Sequence, residues 1–201
     1  MGALDDLAEE MGPIVTYFVV FIGAIKLFGW IYYTCSFIKK FDHFLGSWEE
    51  GFKNEFIVQL FTRNYKEFEE FVTAGHEVDS VTLITEGSAH MMSVEGFFIM
   101  ILPSKSVFGD FNCAFNTKTL VSLRGPERPD GVIDVPGRDI FTCTTMNCPK
   151  EVFEDLMDLY PDTAENIKIR SLEKREVVMY YLQKERCRQM KRLGEQITKQ
   201  D

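Results

Sequence analysis

The first forty positions hold the densest apolar block of the chain. Ile14 to Ile25 reads IVTYFVVFIGAI without a charge, and after Lys26 a second uncharged run, LFGWIYYTCSFI, extends from Leu27 to Ile38. Either run alone rises about 18 Å as a helix, short of a hydrocarbon core of roughly 30 Å, whereas the two together suffice with some tilt. The pattern predicts one transmembrane helix over 13–38, with Pro13 in its first turn, after an acidic N-terminal segment over 1–12. The leading LDDLAEE is acidic where a signal peptide needs a basic region. Acids before the span and Lys39 and Lys40 after it place the C-terminal bulk on the cytosolic side, or on the matrix side of a mitochondrial inner membrane. Lys26 falls in mid-span, where it snorkels or meets a carboxylate or lipid head group from a neighbour. The alternative is a buried hydrophobic helix of a soluble fold.

Residues 39–71 read as a connector and helical pieces, with Phe61, Tyr65, Phe68 and Phe71 at a rough three-to-four spacing. Beyond Val72 the texture changes to short β-type runs broken by glycine, over 72–146. VDSVTLIT ends at Glu86-Gly87, SAHMMSV at Glu95-Gly96 and FFIMIL at Pro103, and TLVSL and DIFTCTTM follow. The Pro/Gly-rich stretch 124–139 reads as an exposed insertion. Over 147–201 two helices are expected: one opened by Asn147 or Pro149 and stopping before Pro161, then a long one with Asp162 or Thr163 as N-cap. The fold class is α+β: an N-terminal transmembrane helix, then an antiparallel, jelly-roll-like β-roll flanked by helices, with a long C-terminal helix.

Composition narrows the chemistry. The chain is 45% hydrophobic with 18 Phe, enough for a core. A net charge of −9 argues against nucleic acid as a partner. The five cysteines form no CxxC pair, so a disulfide framework and a four-ligand zinc site both lack support. His43, His76 and His90 are isolated, and there is no Walker loop, G-x-S-x-G or H-E-x-x-H. No catalytic residue, metal site or cofactor is expected.

Three pieces together carry a resemblance. Gly75-HEVDSVTLITE-Gly87 looks like a glycine-to-glycine hairpin, Ser106-Val-Phe-Gly-Asp-Phe111 looks like a phosphate-binding cassette, and Pro149 to Val178 looks like a pair of closing helices. From about Asn54 to Leu182 the chain resembles the cyclic nucleotide-binding domain, most closely the version in the C-terminal tails of ciliate-type potassium channels. The resemblance implies that a cyclic phosphate is held by backbone N–H groups of a short helix and a forked Arg, and that a carboxylate after the Gly accepts the ribose hydroxyl. It places Phe108, Gly109 and Asp110 on the family's Phe-Gly-Glu, and Asn112, Cys113 and Ala114 on the short helix. Lys118, Thr119 and Leu120 fall on its Arg-Thr-Ala. Lys lacks the planar fork, and Arg124 lies beyond the usual register. Phe108, Gly109, Asp110, Cys113, Ala114, Lys118 and Thr119 therefore outline a degenerate pocket, in which Gly109 and Asp110 also make sense as a tight turn and helix cap. In the family the last helix closes as a lid over ligand. Its basic end here (Lys184, Arg186, Arg188, Lys191, Arg192) reads as a solvated terminus or as a docking surface for anionic lipid or an acidic partner.

The leading expectation is a non-catalytic, single-pass accessory subunit of a multi-subunit membrane complex, such as a mitochondrial respiratory or ATP-synthase complex. Its partners would be lipid and the other subunits, with Lys26 at a subunit contact and the β-roll as a protein-docking module. The alternative is a membrane-tethered sensor of cyclic AMP or cyclic GMP that regulates a partner such as an ion channel.

Overall fold

The computed structural model describes residues 25, 26, 29, 32, 34–128 and 141–197, and side chains only as far as 192 at the C-terminal end. Two compact units result, Met1–Gly46 and Ser47–Asp201. In the first, residues 34–40 are helical and a short helix α1 (Asp42–Leu45) follows. Phe37, Phe41 and Phe44 are buried at i, i+4 and i+7, while Cys35, Ser36, Lys39, Asp42 and His43 are exposed. That is the one-sided stripe of an amphipathic helix.

This overturns the membrane reading. Most of the expected span 13–38 lies outside the described residues, as does the acidic segment 1–12, and among the described residues no helix is long and apolar enough to cross a membrane. A count of uncharged residues does not distinguish an all-round apolar rod from a stripe, and the end of the expected span is a stripe. The single-pass localisation, in a mitochondrial inner membrane or elsewhere, is therefore withdrawn. Lys26 is helical and exposed.

The second unit opens on α2 (Glu50–Val58), whose Phe52 and Phe56 meet Trp48 and Phe153 in a set of edge-on ring contacts. Seven strands then form an antiparallel sheet: β1 (Phe61–Tyr65), β2 (Glu70–Val72), β3 (Ser80–Met92), β4 (Phe98–Pro103), β5 (Val107–Phe108), β6 (Ser122–Arg124) and β7 (Cys143–Pro149). The hub is β3. Its first half pairs with β7 and β5, its second half with β4 and β6, and the register shifts between Ile84 and Glu86. At Gly87, with φ 70°, a Cβ would come within 2.0 Å of the Thr142 carbonyl oxygen, so the β3–β7 contact requires glycine. A bulge and a glycine in one long strand bend the sheet and curl it into a roll.

Two expectations change here. Phe61–Phe71 is not helical; it supplies β1 and β2, because pairing with the distant β7 and β6 outweighs a local spacing. The strands expected on either side of Glu86-Gly87 are one strand rather than a hinged pair. Within 124–139, Arg124 belongs to β6 and Gly125 is buried, and residues 129–140 lie outside the described residues.

Short helix α3 (Asp110–Ala114) follows β5, and α4 (Lys150–Leu159) leads into α5 (Pro161–Ile197). Pro161 occupies the first position of α5, where its ring costs no hydrogen bond. The buried Thr163, Ala164, Ile167 and Ser171 line its inner face.

Candidate functional site

The site is built at the turn from β5 into α3. Phe108 is half-buried against the core cluster of Met91, Val121 and Leu123. Gly109 follows with φ 88°, and a Cβ there would sit 2.6 Å from the Ser80 carbonyl oxygen and 3.0 Å from Val78 Cγ1. Only glycine lets the turn close onto the start of β3. The Gly109 carbonyl accepts from Cys113 N at 2.8 Å, which starts α3. Cys113 is buried, with its thiol pushed up to about 12 by desolvation, and Ala114 is half-buried.

Asp110 is a buried carboxylate. Its side chain is 6% exposed, and its Oδ2 accepts from Lys174 Nζ of α5 at 2.6 Å. Removing a carboxylate from water costs several kcal/mol unless a cation and hydrogen bonds compensate, and Lys174 meets that need. The next residue of α5, Arg175, lays its guanidinium 5.0 Å from the centroid of the Phe111 ring. One and two turns on, Val178 and Leu182 pack against the Met91–Val121–Leu123 cluster. Lys174, Arg175, Val178 and Leu182 thus clamp α5 onto α3 and the roll.

The far end of the cassette is closed as well. Thr119 is buried; its hydroxyl donates to the Val121 carbonyl at 2.9 Å and accepts from Val121 N at 3.2 Å. Its own N–H donates to His76 O at 2.9 Å, and its carbonyl accepts from Gly75 N at 2.7 Å. Lys118 is exposed in a lone bridge with Glu77. Asn116, with φ 48°, presents Oδ1 to Lys150 Nζ at 2.6 Å, which ties the cassette to the first residue of α4. Arg124 lies in β6 opposite His90 and Glu70 and not in the turn.

Of the residues marked in the sequence, Phe108, Gly109, Asp110, Cys113 and Ala114 share one turn and helix, while Lys118 and Thr119 diverge, one to solvent and one into the interior. Sequence reasoning used Val178 and Leu182 only as limits of the resemblance, and it missed Lys174, Arg175 and Lys150. The one available signal for Lys174 was that an acid set after a strand and a glycine, and buried by an adjacent core, needs a cation. His76 Nδ1 lies 3.3 Å from Ala74 O; His90 sits edge-on to Phe98, its pKa lowered by burial and then by Arg124. Among the described residues no group of His, Cys, Asp and Glu is arranged to hold a metal ion.

No protein-family model matches the chain, and no curated protein matches it in sequence. Solved structures match in shape. PKAR CBD2 bound to Sp-2Cl-cAMPS aligns at TM-score 0.55 and 16% identity over 74% of this chain and 90% of that one. The regulatory domain of Toxoplasma gondii PKA, crystallised with cAMP, aligns at 0.53 and 15% identity over 69% of this chain and 48% of that one. The C-linker/CNBHD of zELK channels, crystallised in the presence of cAMP, aligns at 0.51 and 13% identity over 64% and 59% respectively. The chain spans about half of the Toxoplasma fragment. At these identities the likeness establishes the fold, that of a cyclic nucleotide-binding domain. Kinase-regulatory and channel versions match comparably, so the narrower likeness to channel tails is not singled out.

Proposed function

We propose that this cyclic nucleotide-binding fold works as a non-catalytic docking module, an accessory part of a larger protein assembly, whose lid helix is held shut by its own side chains. The carrying observation is the Asp110–Lys174 pair at 2.6 Å. In the ligand-binding version the carboxylate after the glycine accepts a ribose hydroxyl and the lid closes over the nucleotide. Here that carboxylate takes its partner from α5, so closure needs no ligand. The anion side of the pocket agrees. A cyclic phosphate calls for a forked cation, and the corresponding positions offer a buried Thr119 whose hydroxyl is already engaged and an exposed Lys118.

A second reading, a cyclic nucleotide sensor, is favoured by one feature: the Phe108-Gly109-Asp110 turn keeps its left-handed glycine and its acid. Thermal melting of the full chain with millimolar cyclic AMP or cyclic GMP separates the two. The docking module melts at the same temperature with and without ligand. A sensor gains about 2.7 kcal/mol at a hundredfold excess over its Kd by mass action, and that gain would replace the first reading with the second.

A further inference from the structure

The two sides of α5 differ in kind. Thr163, Ala164, Ile167 and Ser171 are buried and Val178 and Leu182 pack on the roll, which marks the inner side. On the opposite side Asn166, Glu173, Val177, Tyr180, Lys184 and Lys191 are all exposed. From Glu173 the positions Val177, Tyr180, Lys184, Cys187 and Lys191 follow at alternating steps of four and three residues, the spacing of a coiled-coil seam. Val177 and Tyr180 within the seam are 52% and 59% exposed, and Ile169 and Met190 on its flank are 53% and 74% exposed. One exposed apolar side chain is ordinary, whereas four along one helical stripe mark a contact surface. The charge of this side is divided along its length. Glu173 and Glu176 precede Val177, and Lys184, Arg188 and Lys191 follow Tyr180. Glu185 answers Arg188, but among the described residues no ion pair engages Glu173, Lys184 or Lys191, and Lys184 rests 5.8 Å from the centroid of the Tyr180 ring.

We infer that this face pairs with the same face of a second copy of the chain, the two α5 helices running antiparallel about a two-fold axis. The divided charge sets the direction. Parallel helices would oppose Glu173 to Glu173 and Lys184 to Lys184, whereas antiparallel ones set acid against base. One register serves every position together. With Val177 of one copy opposite Tyr180 of the other, Glu173 falls opposite Lys184, Asn166 opposite Lys191 and Arg170 opposite Cys187, and Ile169 comes beside Met190. Each of these contacts occurs twice, which is the self-complementarity that a two-fold interface requires. The seam from Asn166 to Lys191 spans about 38 Å of helix, more than three heptads. Other occupants use less of it. An anionic bilayer is repelled by the acidic half and by a chain of net charge −9. An acidic helix of another protein takes the basic half and leaves Glu173 without a cation. The pairing goes beyond the docking role proposed above and lies on the side of α5 turned away from the roll.

Sedimentation velocity of the full chain over a micromolar concentration series tests the pairing. The wild type passes from monomer to dimer. Glu173→Lys and Lys184→Glu each raise the dissociation constant by about tenfold, and the chain carrying both regains the wild-type value, because every pair is restored with its sense reversed. Tyr180→Ser weakens the dimer likewise, and Asp110→Asn leaves it unchanged. Cys35 and Cys187 are the exposed thiols among the described residues. With Cys35→Ser as background, Arg170→Cys gives a disulfide-linked dimer through Cys187 on air oxidation, and Cys187 without that change gives none. A monomer at every concentration, a dimer that Glu173→Lys leaves intact, a double variant as weak as the single ones, or a Cys187–Cys187 link, which parallel helices would form, overturns the inference. Cyclic nucleotide melting reads the cassette and sedimentation reads the outer side of α5, so the two proposals fail separately.

Discussion

Gly109 and Asp110 are neighbours under opposite constraints. Gly109 is there because nothing larger fits beside Ser80, Asp110 because a cation reaches it from α5. Gly109→Ala and Gly87→Ala are each expected to cost about 3 kcal/mol in urea denaturation, since strain and a collision with a carbonyl act together; a loss under 1 kcal/mol would mean the backbone moves aside easily. Lys174→Ala leaves the Asp110 carboxylate buried without its cation and is expected to cost about 1–2 kcal/mol, discounted because Lys174 is 43% exposed. Asp110→Asn combined with Lys174→Ala recovers part of that loss, and additive losses in the double-mutant cycle would mean the pair is not coupled. The cassette was legible in the sequence because its glycine and acid are adjacent. Its latch was not, because Lys174 lies 64 positions away on a helix crowded with other cations.

Among the elements, α5 carries most of the functional reading. Its first turns are buried by Ala164 and Ile167, and its middle is held by Lys174, Arg175, Val178 and Leu182. Leu182→Asp is expected to leave the roll folded and to open α5 beyond Ser171 to protease, and an unchanged cleavage pattern would place the hold elsewhere. The helices after Pro149 and the strand FFIMIL were readable from punctuation and period, but α5 opens at Pro161 and not after an Asp162 or Thr163 cap. The stretch 61–71 was not: of four aromatic residues at helical spacing, Phe61, Tyr65 and Phe71 lie on two edge strands whose partners are distant in the chain and Phe68 lies in the turn between them, and only the pairing of Tyr65 with Cys143 and of Glu70 with Arg124 reveals it. The long β3 hid in the same way, since Glu86-Gly87 reads as a turn and acts as a bend within a strand.

At the scale of the whole molecule, three of the five cysteines, Cys113, Cys143 and Cys148, are buried with thiols pushed up to about 12 by desolvation, while Cys35 and Cys187 are exposed. Ellman's reagent is expected to titrate two thiols in the native chain and five after unfolding, and a third fast thiol would indicate an opened core. The same burial fixes the alkaline side of the stability profile. A group whose folded pKa is raised binds its proton more tightly in the native state, so its contribution is complete below the unfolded value of 9.0 and is lost between there and about 12. His90 acts in the opposite sense, with a pKa lowered from 6.5, so its contribution is lost as the pH falls below that value. Urea midpoints are expected to plateau between these limits and to fall on both sides; a midpoint still rising above pH 9 would contradict the buried thiols. The roll and its closing helix were visible in the order of the short β-type runs and the long helical stretch that follows them. The membrane span was misread because charge-free length does not disclose which face is buried.

The most direct measurement is hydrogen exchange along residues 172–186 of the full chain, with and without millimolar cyclic nucleotide, in the wild type and in Lys174→Ala. The amides are expected to be protected in the wild type without ligand, unchanged by cyclic AMP or cyclic GMP, and faster to exchange in the variant. Fast exchange in the wild type that slows only when nucleotide is added would contradict a lid held by Asp110 and Lys174.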